Sequence, residues 1–382
     1  MRHDFLRALP VLIALWVGVA AAHGEEPALN NALNERIVFI HHSLGVDLET
    51  TIFKPDGDGP FPLAIINHGK SPGNTHFQAR ARYIVASREL VRRGYVVAIP
   101  MRAGFSRSTG NYVEGGCNIA GNGDRQAQYL HSALDYMAQQ PYVDRSRIIV
   151  MGQSHGGLTA MAFAGETYPG VRGIVNFAGG LRLVASECSG WQQSLVQAYQ
   201  KYGHSARIPS LWFFGENDSY FGPDLAKRMY NAFAQAGGKA KIVNYGPFKN
   251  DAHNMFSDRD GLAIWWPQTE AFLASVGMPT QLVQHPLAED PALEALADAK
   301  RIPYVKANCA NIYGSFLDAD YPRAYAISAD SHCGYAFGGE DPKKRAVEFC
   351  QRLAKEECEL YAVDNALVWK GERISTGAGE GR

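Results

Sequence analysis

The chain has 382 residues, 46% of them hydrophobic, and its 37 lysines and arginines almost balance 38 aspartates and glutamates for a formal charge of −1. That length admits one α/β domain of about 250 residues plus a small second unit. A near-neutral chain with no basic stripe excludes a nucleic-acid binder, and no apolar run beyond the N-terminus is long enough to span a bilayer.

At the N-terminus, Arg2 and Arg7 flank a short basic region, Ala8 to Val19 is almost wholly apolar, and Ala20-Ala21-Ala22 offers small residues for a signal peptidase. The pattern predicts a signal peptide over residues 1–22, cleaved before His23, and so a secreted or periplasmic protein. The apolar run is short for a membrane anchor. All six cysteines, Cys117, Cys188, Cys309, Cys333, Cys350 and Cys358, follow this segment. An even number in an exported chain favours disulfides, and none of the spacings resembles a zinc site.

From Glu35 the elements alternate. Arg36 to His42 and Val46 to Lys54 read as a strand pair, and Pro62 to Asn67 as a central strand followed by the turn His68-Gly69-Lys70. Thr75 to Arg93 has helical periodicity and stops at Gly94, Tyr95 to Pro100 is a buried strand, and Asp124 to Gln140 is a helix ended by Pro141. Strands begin at Ile148, Val171 and Leu211, another spans Ala240 to Tyr245, and a helix from Leu262 to Val276 closes the domain, expected over residues 35–278. Strands too apolar to face water, alternating with helices, imply a mostly parallel, doubly wound sheet covered on both faces.

Chemistry concentrates at Gly152-Gln153-Ser154-His155-Gly156-Gly157, between the strand from Ile148 and an apolar helix. This fits the G-x-S-x-G nucleophile elbow, whose glycines permit a strained turn that lifts the serine into the open. Five residues alone make a weak signal. Asp218, at the carboxyl end of the strand Pro209 to Gly215, and His253, in the polar loop after Tyr245, complete the order Ser, Asp, His, which differs from that of the chymotrypsin and subtilisin folds. Glu216, two residues before Asp218, is the rival acid.

The elbow, the Asn67-His68-Gly69 turn, Asp218 and His253 together resemble the dienelactone-hydrolase-like branch of the α/β hydrolases, over about Arg36 to Gly277. The resemblance implies the α/β-hydrolase fold, with Ser154 as nucleophile, His253 as base and Asp218 as its orienting acid. Dienelactone hydrolases carry cysteine at the nucleophile position. Ser154 therefore points instead to a serine esterase acting on small carboxylic esters. An oxyanion hole is expected from the backbone N–H of His155 and, in the loop after the third strand, of Lys70. Phe105, Trp191, Tyr220 and Phe256 are candidates to line the pocket, with core filling as the alternative; for His41, His68 and His131 the expectation is packing or exposure rather than ligand contact.

Residues 180–207 leave room for a cap over the serine, and a Cys117 to Cys188 bridge would pin it, although spacing does not fix connectivity. Residues 279–302 read as a linker rich in Ala, Glu, Asp and Pro, with a short helix over Pro291 to Lys300. Beyond it, residues 303–370 read as a small α+β domain: helices at Asn308 to Leu317 and Lys343 to Lys355, strands at Arg323 to Ser328, His332 to Phe337 and Cys358 to Val363, and four cysteines suited to stapling a small core. Stability in the periplasm or attachment to a cell-envelope partner is the role expected of it, with packing against the cap to shape the pocket as the alternative. Residues 371–382 read as a disordered tail. No cofactor or metal is implied, since phosphate-binding and dinucleotide fingerprints are missing. Besides the esterase, two readings stay open: a peptidase or amidase of the prolyl-oligopeptidase type, and a non-catalytic binding protein on a hydrolase scaffold.

Overall fold

The computed structural model describes residues 29–283, 296, 302–304, 306–319, 323–337, 341–364 and 366–369. The expected signal peptide, most of the linker and the tail lie outside them. An eight-stranded sheet runs in the order β1-β2-β4-β3-β5-β6-β7-β8. Its strands are β1 (Arg36–His42), β2 (Val46–Phe53), β3 (Phe61–Asn67), β4 (Val96–Pro100), β5 (Val143–Gln153), β6 (Val171–Phe177), β7 (Ser210–Gly215) and β8 (Ala240–Tyr245). β2 pairs antiparallel with β1 and β4, and every other pairing is parallel.

The central strands carry continuous apolar runs because both faces of the sheet are covered. Along β5, Ile148 and Val150 join the core under α2 (Ile119–Ala138), α3 (His155–Ala162), α4 (Trp191–Ser205) and α5 (Pro223–Gln235). Ile149 and Met151 point to the opposite core, under α1 (Ile84–Val91) and α6 (Leu262–Ser275), as the two-residue period of a strand demands.

Three elements depart from expectation. The helix expected over Thr75 to Arg93 shortens to a 3-10 turn, Thr75–Phe77, and α1, because the stretch between them turns its polar side chains inward. Arg80 and Arg82 both reach the buried carboxylate of Glu35, and Arg80 also bonds Thr51 Oγ1 at 2.8 Å. α2 starts five residues earlier than expected, capped by Asn118, whose side chain accepts from Gly121 N. The range expected to form a cap is largely α4, which buries Leu195, Ala198, Tyr199 and Tyr202 and packs Tyr199 edge-on against Trp212 of β7. From Trp191 onward it belongs to the helical layer, so only about residues 178–190 exceed the simple repeat.

The C-terminal unit is an antiparallel sheet ordered β10-β9-β11-β12, built from β9 (Arg323–Ser328), β10 (Cys333–Phe337), β11 (Cys358–Val363) and β12 (Ala366–Leu367). All six residues of β9 are buried. One face carries Tyr325, Ile327 and Tyr361 against Tyr313 and Phe316 of α7 (Ala307–Asp318). The other carries Ala324 and Ala326 against Ala346 and Cys350 of α8 (Pro342–Gln351). Cys309–Cys333 staples α7 to β10, Cys350–Cys358 joins α8 to β11, and Cys117–Cys188 forms in the larger domain. The start of the linker lies on the turn between α1 and β4: Tyr95 Oη donates to Pro279 O at 2.6 Å, and Val283 N to Arg92 O at 3.0 Å.

Candidate active site

Ser154 joins β5 to α3 with φ 55° and ψ −122°, a conformation few non-glycine residues adopt and one that costs about 1–3 kcal/mol. Its backbone is fully engaged: its N–H donates to Phe177 O at 2.9 Å, and its carbonyl accepts from Leu158 N and Gly180 N. The flanking glycines are sterically required, since a Cβ at Gly152 would stand 2.1 Å from Gly156 O and one at Gly156 only 1.9 Å from Asn67 O. The turn after β3 lies in contact distance of the serine, for a Cβ at Gly69 would be 3.5 Å from Ser154 Cβ.

Asp218 and His253 come from loops after β7 and β8, at the same edge of the sheet as the elbow. His253 Nδ1 lies 3.1 Å from Asp218 Oδ2, while Asp218 Oδ1 accepts from the amides of Tyr220 and Phe221 at 2.8 and 2.9 Å. Burial pushes the Asp218 carboxyl up, but the hydrogen bond and charge of His253 and these two amides outweigh it and hold the group below its ordinary value. An ionised carboxylate can only accept, which assigns the imidazole proton to Nδ1 and leaves Nε2 as the basic nitrogen. The rival Glu216 is exposed.

Of the expected pocket residues, Tyr220 stacks on the His253 ring with centroids 4.4 Å apart, and Trp191 meets Phe221 edge-on, which in turn lies 5.6 Å from His253. Phe105 and Phe256 are core residues rather than an open lining. Phe105 is fully buried among His68, Tyr112 and Arg102, and Phe256 stacks on Phe177 at 3.9 Å.

The expected oxyanion donors belong to well-anchored segments. His155 opens α3, so its N–H is among those a helix leaves without an internal partner. Its buried side chain bonds Asn122 Oδ1 through Nε2 at 2.7 Å, and Asn122 donates in turn to Val113 O and Glu114 O. Burial, then the charges of Arg102, His68 and Lys70, hold the His155 imidazole well below its usual range. Lys70 Nζ stands 3.5 Å from Glu114 and over the Tyr112 ring. The N–H of Gly69 is committed to Tyr83 Oη at 3.1 Å.

His68 packs inside the turn, with Nδ1 2.7 Å from Gly69 O and Nε2 accepting from Arg102 N; His41 is exposed and pairs with Asp47. His131 is partly exposed, 3.5 Å from Glu166.

Sequence reasoning missed three supporting residues. Arg102 is buried and braces the turn by donating to the carbonyls of His68 and Gly69, and burial lowers its pKa to about 10. Gln153 fills the variable position of the elbow motif and carries no signal there. Asp251 had one usable sign, an acidic residue two before the histidine, where a short side chain caps a turn. Among the described residues no group of three His, Cys, Asp or Glu side chains could hold a metal ion, and no helix is long and apolar enough to cross a membrane.

An eight-stranded sheet that turns parallel after an antiparallel edge, with a strained serine at the tip of β5 and an Asp-His pair beyond β7 and β8, defines an α/β hydrolase. The profile of the dienelactone hydrolase family matches residues 78–270, about half of the chain, which therefore belongs to that family. No curated protein matches it. Among solved structures it is similar to a Porphyromonas gingivalis dipeptidyl peptidase 4 (18% identity, TM-score 0.49, 63% of this chain) and spans only 35% of that chain. It is also similar to a Pyrococcus furiosus esterase (16% identity, TM-score 0.49, 67% of this chain and 98% of that one) and to a puromycin-hydrolyzing peptidase of Mycobacterium tuberculosis (14% identity, TM-score 0.44, 64% and 39%).

Proposed function

We propose that the protein is an exported serine hydrolase that cleaves small carboxylic esters through an acyl-enzyme. The reading is carried by one observation: Ser154 is held in a strained turn at the edge of the sheet where His253 and Asp218 are hydrogen-bonded to each other. His253 Nε2 takes the Ser154 hydroxyl proton as the oxygen attacks the ester carbonyl, and Asp218 keeps the proton on Nδ1 and stabilises the imidazolium. The amides of His155 and Lys70 hold the developing oxyanion; with the Gly69 N–H engaged by Tyr83, the donor in that turn falls to the next residue. The imidazolium then protonates the leaving alcohol, and water, activated by the same nitrogen, releases the acid. Three disulfides support an oxidising compartment, and with it the signal peptide expected over residues 1–22.

Labelling with a fluorophosphonate tests the assignment. Wild type takes the label on Ser154, and Ser154→Ala does not. Ser154→Ala and His253→Ala each lower turnover of a short ester by on the order of a millionfold, and the double variant is hardly slower because the two act as one unit. A folded Ser154→Ala protein that still takes the label would refute the reading.

A further inference from the structure

Both backbone polar groups of His253 are held by side chains, one from the segment that carries Ser154 and one from the base's own loop, which is tied in turn to the segment that carries Asp218. The His253 carbonyl accepts from Gln153 Nε2 at 2.8 Å, and Gln153 immediately precedes Ser154. The His253 N–H donates to Asp251 Oδ1 at 2.9 Å. Asp251 itself bonds the residue that follows Asp218, accepting from Ser219 N at 3.1 Å through Oδ1 and from Ser219 Oγ at 2.6 Å through Oδ2. Asp218 closes the circuit on the His253 ring.

The Asp251 bond to His253 N is a local turn cap, but the Gln153 bond to the His253 carbonyl is unusual for a loop, where backbone groups commonly turn to water. His253 lies in a single 3-10 turn, Ala252–Asn254, too short for internal bonds to fix its position. Gln153 is 8% exposed, so its amide has little access to solvent, and the bond to His253 O spans a hundred residues of sequence. The elbow tip thus reaches across to the base, and the base's own loop is tied through Asp251 to Ser219 of the acid loop.

We infer that Gln153 and Asp251 are positioning residues of the hydrolytic reaction, clamping the His253 backbone so that Nε2 stays in register with Ser154 while Nδ1 stays on Asp218. The inference rests on the reading of His253 as the general base. Neither residue touches the reacting atoms. Gln153 acts through the carbonyl of the base and Asp251 through its amide, and a displacement of the base by about 1 Å is enough to cost on the order of a hundredfold in rate.

The test is kinetic, on the full chain and one short soluble ester. Gln153→Ala and Asp251→Ala lower kcat by about 10- to 100-fold with KM within about twofold of wild type, because substrate binding does not pass through the clamp. Gln153→Glu matches the native side chain in size but presents an acceptor to the His253 carbonyl, and is at least as slow as Gln153→Ala. Asp251→Asn keeps an acceptor for both amides and a donor for Ser219 Oγ, and recovers most of the wild-type kcat. In a His253→Ala background, Gln153→Ala leaves the residual rate unchanged, which a merely structural role would not do. The inference is overturned if kcat is unaffected in folded Gln153→Ala, if Asp251→Asn is as slow as Asp251→Ala, or if Gln153→Ala slows the His253→Ala protein by the same factor as wild type. Fluorophosphonate labelling separates the two levels. If Ser154→Ala still takes the label, the hydrolase reading fails; if the label is lost there but kcat is normal in Gln153→Ala, only the clamp fails.

Discussion

The residues of the proposed triad are few, but the groups around them set how the protein responds to acid. His68 and His155 are buried beside the elbow, and burial together with Arg102, which faces both, depresses their imidazoles well below the ordinary value; Lys70 adds to the effect on His155, and the Gly69 carbonyl opposes it at His68. Between that depressed value and about 6.5, the ordinary value for histidine, the unfolded chain binds protons that the folded one does not. Stability is therefore intact above about pH 7 and falls as pH drops through about 6.5, by up to about 1.4 kcal/mol per pH unit for each imidazole. Asp218, held low, adds a further loss only below about pH 4, where unfolded carboxyls take up protons. Urea unfolding from pH 7.5 to 5 should show the first decline, and His155→Gln, which retains a donor for Asn122, should make it shallower, leaving the part due to His68. A profile flat between pH 7 and 5 in the wild type would show that these imidazoles are not kept neutral. As members of the proposed triad, Ser154, Asp218 and His253 stood out in the sequence because the chemistry proposed for them forces residue type and chain order, and the structure brings Asp218 and His253 into contact. Gln153, Asp251 and Arg102 did not, since what they supply is hydrogen bonds in a given direction to backbone groups, which any of several residues could provide from another backbone.

At the scale of elements, β3, β4 and β7 were read to within a residue or two because each is a run of mostly apolar side chains buried on both faces, whereas β5 begins at Val143, five residues before the expected Ile148, because its polar start, Asp144 to Arg147, carries no apolar run. The helices were read less well. α1 was expected to start at Thr75 because periodicity counts apolar spacing and does not register that Arg80 and Arg82 are drawn inward by Glu35. α2 was expected to start late because Gly121 and Gly123 look like breakers, yet a Cβ at Gly123 would stand 2.2 Å from Tyr202 Oη, so that glycine is what lets α4 approach. Between these helices the Cys117–Cys188 bridge joins the loop before α2 to the segment before α4, closing 71 residues of chain, a constraint of about 4 kcal/mol on the unfolded state. Cys117 is exposed, whereas the other five cysteines are buried. Mild reduction should open this bridge first, as read by alkylation and peptide mapping. The loop it frees also carries Tyr112 and Glu114, which contact Lys70, the proposed oxyanion donor, so kcat should fall before the fold is lost. Equal labelling of all six cysteines at the lowest effective reductant would contradict this.

Across the whole molecule, the C-terminal unit does not stand clear of the hydrolase domain. Ser315, Ala319, Tyr335 and Phe337 face Asp251, Asn254 and Asp258 across a narrow cleft, which places the smaller sheet beside the loop that carries His253. The secondary structure of this unit was legible from its periodicity, but its position was not, because it follows a linker whose composition carries no record of where the chain returns. Its four cysteines were expected to pair among themselves, and they do so as neighbours, Cys309 with Cys333 and Cys350 with Cys358, just as Cys117 pairs with Cys188. No bridge nests inside or crosses another. A chain delivered N-terminus first into an oxidising compartment thus presents its thiols in the order in which they must join, and each pair can close before the next thiol emerges. Maturation should then need an oxidant but no isomerase. Yield of active protein should hold in a host that oxidises thiols without reshuffling them, and accumulation there of molecules joined through Cys188 and Cys309 would show that emergence does not set the pairing.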